Sequence, residues 1–167
     1  MSDSRKPTQR ERDSEGRPLN ARPRDALGRP LPRGAQGVTG VPDDLALTPQ
    51  QALREAQRLL DEEMPFFAHE VLEAAWKSAE TAERDLWKGL AQLAVGLTHI
   101  QRGNAKGAVA LLRRGAERVA PYAQSAPYGV DAEEVSRHAE CLATGIERDG
   151  SLDVDPSDLR LRLVRGG

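Results

Sequence analysis

Five side chains in this chain of 167 residues have the types and spacing for chemistry: His69, Glu73, Trp76, Gln92 and His99. His69 and Glu73 stand four residues apart, so on a helix they share a face, with Trp76 one turn further along the same stripe. Glu70 points off that stripe. A second set, Gly89, Gln92, Gly96 and His99, also falls on one helical face. Each glycine costs a helix roughly 1 kcal/mol against alanine, which makes sense where another helix must come close. If the helix carrying His69 is that neighbour, His69, Glu73, Gln92 and His99 converge in one partly buried polar pocket with Trp76 as a wall.

Such a constellation can serve three ends. The first is architectural: Glu73 orients the imidazoles and Gln92 satisfies what remains, because buried polar groups need partners. The second is a pocket for a small molecule or a protein segment, with Trp76 and Trp87 as apolar walls. The third is a divalent metal (zinc, iron or manganese) held by His69, Glu73 and His99, with an open position for a hydrolytic water. The string His69-Glu70-Val71-Leu72-Glu73 resembles the H-E-x-x-H zinc helix but departs from it, since Glu73 stands where the second histidine is required. It also lacks the Glu-x-x-His motifs of di-iron bundles. A binding or scaffold role is therefore the first expectation and a metal-dependent hydrolase its alternative, with no catalytic residue assigned.

Other chemistries find less support. No P-loop lysine and no Gly-x-Ser-x-Gly elbow occurs. The lone Cys141 is expected as a packed, inert thiol near an apolar helix face. Arg102, Lys106, Arg113, Arg114 and Arg118 share a stretch with one acid, Glu117, and could meet RNA or an acidic partner. No aromatic residue is interleaved there for base stacking, so nucleic acid is the weaker reading.

The elements that must position these residues are helices. Thr48-Pro49-Gln50-Gln51 reads as a capping box with proline at the first helical position. Ala52, Leu53, Ala56, Leu59 and Leu60 then follow one face. Pro65 closes that helix and opens the next, striped by Phe67, Ala68, Val71, Leu72 and Ala75. Residues 86–100 are apolar nearly all round yet too short to span a bilayer, which predicts a buried central helix. Gly103-Asn104 turns the chain into a helix that ends at Pro121, and Asp131 to Glu134 caps a fifth. Beyond Gly150, Leu159, Leu161 and Leu163 alternate with arginines and predict an extended tail packed along the bundle.

Upstream the composition changes. Residues 1–42 hold nine basic and five acidic residues, a net of +4, whereas the other 125 carry 15 Lys/Arg and 21 Asp/Glu, a net of −6. The stretch has no aromatic residue and five internal prolines, so it cannot bury enough apolar area to offset its ordering entropy. The expectation is an all-α compact bundle of about five helices: a disordered basic arm over residues 1–43, the bundle over 44–149 and the tail over 150–167. A single cysteine excludes internal disulfides and Cys-rich zinc sites. No apolar run reaches the ~20 residues of a membrane span, and the first residues lack a secretory apolar core. A cytoplasmic protein without a membrane partner is expected.

The string Phe66-Phe67-Ala68-His69-Glu70-Val71-Leu72-Glu73-Ala74-Ala75-Trp76 resembles the signature of the family known as domain of unknown function 309. Two further strings are similar to it in order and spacing: Gly89-Leu90-Ala91-Gln92-Leu93-Ala94-Val95-Gly96-Leu97-Thr98-His99 and Arg102-Gly103-Asn104-Ala105-Lys106-Gly107-Ala108. The resemblance covers about residues 45–122. The leader, with Asn20-Ala21-Arg22-Pro23-Arg24-Asp25, resembles the family's actinobacterial branch. What the resemblance implies is a small helical bundle and a set of signature residues, not an activity.

Overall fold

The computed structural model describes Asp25, residues 27–29 and residues 46–165. The chain divides into two units, Met1–Thr39 and Gly40–Gly167. In the first, the described residues form one turn, in which the Asp25 carboxylate accepts the N–H groups of Leu27 (3.0 Å) and Arg29 (2.9 Å). The expected disorder of residues 1–43, and the boundary drawn at their end, otherwise lie outside the described residues.

The second unit is helical. Its helices are α1 (Pro49–Asp61), α2 (Pro65–Ser78), α3 (Arg84–Gln101), α4 (Ala105–Val119) and α5 (Ala132–Asp149). Thr48 closes the capping box: its hydroxyl accepts the Gln51 N–H at 3.2 Å and the Gln51 side chain accepts the Thr48 N–H at 3.0 Å. Asn104 caps α4 by accepting the Gly107 N–H at 3.0 Å, and Gly103 before it adopts φ +79°. Asp131 caps α5 through the Glu134 N–H. Glu134 makes no return bond to the cap: its carboxylate accepts from Arg137 at 2.9 Å, while the Asp131 N–H donates to Leu163 O at 3.0 Å.

Each helix packs on its neighbour in the chain, α1 on α2, α2 on α3, α3 on α4 and α4 on α5. The core follows the apolar stripes read from the sequence, with Leu53, Phe67, Leu72, Trp87, Leu93 and Leu112 almost wholly buried. The central helix α3 is the most enclosed and buries residues on nearly every side. Among the described residues no helix is long and apolar enough to cross a membrane.

The tail belongs to the core. Leu159 lies in a 3-10 turn (Pro156–Leu159), and Leu161 and Leu163 are buried. Val164 makes a single antiparallel bridge with Val130, so the extended segment finds one strand-like partner after all. Gln57 of α1 fastens it from the other side: the amide donates to Leu161 O at 3.0 Å and its oxygen accepts Leu163 N–H at 2.8 Å. The stretch between α4 and α5 is not a plain loop but contains two 3-10 turns, Ala120–Tyr122 and Pro127–Gly129.

Candidate functional site

The spacing rule on α2 holds. His69 Nε2 lies 3.1 Å from Glu73 Oε2, and Glu73 Oε1 lies 3.3 Å from Lys77 Nζ. The next turn brings Trp76, half-buried, with Lys88 of α3 set 5.6 Å from its ring centroid. One turn the other way, Phe66 sits 6.0 Å from the His69 ring and has Arg102, the C-cap of α3, at 5.3 Å. These contacts define a seam between α2 and α3, with aromatic rings near its ends and the His69–Glu73 pair between them.

Burial pushes the His69 pKa down; the Glu73 carboxylate opposes that shift and Lys77 adds to it. Ion pairing alone would raise the value, but desolvation outweighs it because the ring is mostly enclosed. With Nε2 set beside the Glu73 carboxylate, the neutral tautomer that carries its hydrogen on Nε2 is favoured electrostatically, which leaves Nδ1 as an acceptor. That Nδ1 is buried and has no hydrogen-bond partner among the described residues.

Gln92 and His99 stand half-buried on α3, at the four- and eleven-residue spacing from Lys88 that keeps them on its stripe. The glycines that share their face do mark a close helix approach, but the approaching helix is α4 rather than α2. A Cβ on Gly89 would meet Val119, Arg118 and the Gly115 carbonyl, and one on Gly96 would meet Leu112. His99 follows the same side: its ring lies 3.1 Å from where a Gly107 Cβ would stand, and its Nδ1 is 3.3 Å from Asn104 Nδ2. Burial lowers the His99 pKa, with help from Arg102. Gln92 Oε1 is buried without a partner among the described residues, like the His69 nitrogen. The helix seated on the α3 glycines is therefore α4, not the α2 that the converging pocket assumed, although α2 also packs on α3.

Among the described residues no group of three or more His, Cys, Asp or Glu side chains is placed to hold a metal ion. Trp87, expected as a second wall, is a core residue with 1% exposure. Cys141 departs from expectation in the other direction and is exposed on α5. On the basic stretch, Arg113 pairs with Glu147 at 2.6 Å and Arg118 with Asp85 at 2.9 Å, so these two cations are engaged by acids of the bundle. Acids from α3 and α5, distant in sequence, neutralise them, which a single-segment reading could not foresee.

Fold and site together define a five-helix bundle with a histidine–carboxylate pair set in a helix seam. Residues 53–111 match the family described as Domain of unknown function (DUF309), from α1 to the middle of α4. The match contains the α2–α3 seam and bears out the resemblance read from the signature strings. No curated protein and no solved structure matches the chain.

Proposed function

We propose that this is a binding or scaffold protein, and that the α2–α3 seam takes a small polar ligand or a protein segment presenting a hydrogen-bond donor. The observation that carries this reading is the unpartnered, buried Nδ1 of His69 beside the half-buried Trp76. A buried acceptor left unpaired costs about 1–3 kcal/mol, and a ligand N–H or O–H would recover that while stacking on the indole. Hydrolysis is the weaker reading. Both oxygens of Glu73 are occupied, by His69 and Lys77, so that carboxylate is poorly placed to activate water. His99, the third ligand a metal would need, is tied to the Asn104 turn.

A fragment screen read by NMR on the His69 and Trp76 resonances tests the proposal. Amide- and hydroxyl-bearing fragments should shift both residues, and the response should disappear in a folded His69→Phe variant. Fragments that perturb neither residue, or perturb the variant equally, would overturn it. Stoichiometric zinc, iron or manganese in the parent protein, lost on His69→Ala, would overturn it in favour of the metal-dependent enzyme.

A further inference from the structure

A groove of about 840 Å3 runs between α1, the Pro127–Gly129 turn and the C-terminal tail. Its floor includes the apolar side chains of Leu53 and Val164, and Tyr128 stands on its wall. None of the candidate site residues read from the sequence lines it.

The groove is built rather than incidental. Ala126 and Tyr128 adopt φ of 39° and 55°, left-handed backbone that side-chain-bearing residues rarely take. Such conformations persist only where the surroundings hold them in place. Here the Tyr128 hydroxyl donates to the Glu83 carboxylate (2.9 and 3.1 Å), its ring lies 6.2 Å from Trp87, and Arg165 N–H donates to Gly129 O at 3.3 Å. The facing wall is fixed by Gln57, whose amide is used twice by the tail backbone. A cleft already shaped in this way loses little freedom when a ligand enters.

Its charges select the ligand. The α1 carboxylates that reach the groove are engaged locally: Glu62 lies 3.0 Å from Arg58, and Asp61 accepts from Gln57 at 3.0 Å. Arg54 is exposed at the rim and has no acidic partner among the described residues. Arg165, also lining the groove, reaches Asp131 only at 3.7 Å. An unneutralised guanidinium above an apolar floor complements a molecule with a carboxylate at one end and a hydrocarbon body.

We infer that this groove binds a small organic carboxylate with an apolar body, its carboxylate paired with Arg54 and its hydrocarbon laid over Leu53 and Val164. The site is independent of the α2–α3 seam.

Octanoate and octanol titrated calorimetrically into the full chain test it. Octanoate should bind saturably at one site per chain, more tightly than octanol, and should shift the Tyr128 and Gly129 amide resonances. Arg54→Gln, a helix-compatible change at an exposed position, should weaken octanoate about tenfold, as loss of a charge-assisted pair predicts, and leave octanol unchanged. Arg165→Gln should weaken octanoate by a smaller factor. Absence of saturable octanoate binding, or equal affinity in the parent and a folded Arg54→Gln variant, would overturn the inference.

Discussion

The two flanks of α3 are built to opposite specifications. Toward α4 the backbones nearly touch: a Cβ on Gly115 would stand 2.8 Å from the Gly89 carbonyl oxygen and 2.6 Å from Leu93. Toward α2 the spacing is set by large side chains, with Phe66 and Trp76 reaching over to Arg102 and Lys88. The first flank uses small residues to gain dispersion contacts and leaves no room for anything else. The second is half-open, with aromatic faces and a histidine–glutamate pair at the protein surface. A seam meant only to hold the fold resembles the first, whereas a seam that also meets something outside the fold resembles the second.

The sharpest way to break this comparison is Gly115→Ala. The added methyl would collide with Leu93 and with the Gly89 backbone, and backbone cannot rotate away as a flexible side-chain end can. Overpacking of this kind costs about 1–3 kcal/mol, against roughly 1 kcal/mol gained in helix propensity. Urea denaturation should show a net loss of stability. An unchanged or higher midpoint would mean that the α3–α4 flank is not close-packed and that the contrast between the flanks is unfounded.

The same contrast explains what could be read from sequence. Helix starts and stops were legible because they rest on local chemistry: the Thr48 box, Pro65 at a first helical position, Asn104 after Gly103. The apolar stripes carried enough periodicity to name the core. The pairing within α2 was legible too, because His69 and Glu73 need only helical geometry to meet. What sequence could not supply was which helix lies against the glycines of α3. Periodicity fixes the face of a helix but not the identity of its neighbour, and the helix on these glycines is α4. Cys141 shows the same limit: its place beside the apolar face of α5 was visible, but whether another element covers it was not. The groove at Arg54 joins three stretches far apart in sequence, and no local pattern marks it.

Acid should separate the flanks next. The imidazoles of His69 and His99 are both held below their ordinary pKa by burial, His69 with the larger share of its ring enclosed. The unfolded chain therefore binds more protons than the folded one in the interval between the two values. Stability is fully present above the ordinary histidine value of about 6.5 and falls as the pH drops through that interval. One such group contributes a slope of at most about 1.4 kcal/mol per pH unit. Denaturation midpoints between pH 7 and pH 5 should decline in the parent, and His69→Gln should flatten the decline more than His99→Gln. Equal effects would mean that the α2–α3 flank holds its histidine no more tightly than the Asn104 turn holds the other. No effect from either variant would place the acid sensitivity elsewhere.

A glycine outside both flanks provides the last and smallest test. Gly145 lies within α5, and a Cβ built on it meets nothing within 4 Å. It has the conformational cost of glycine in a helix without the close approach that justifies it at Gly115. Gly145→Ala should therefore stabilise the chain by about 0.5–1 kcal/mol, opposite in sign to the same exchange at Gly115. Paired urea curves for the two variants read the difference directly. If both exchanges stabilise, helix propensity alone governs these positions and the α3–α4 flank has no special packing. If both destabilise, α5 has a neighbour at Gly145 in solution that the isolated chain does not show. Opposite signs are the outcome that close contact, rather than glycine content, demands.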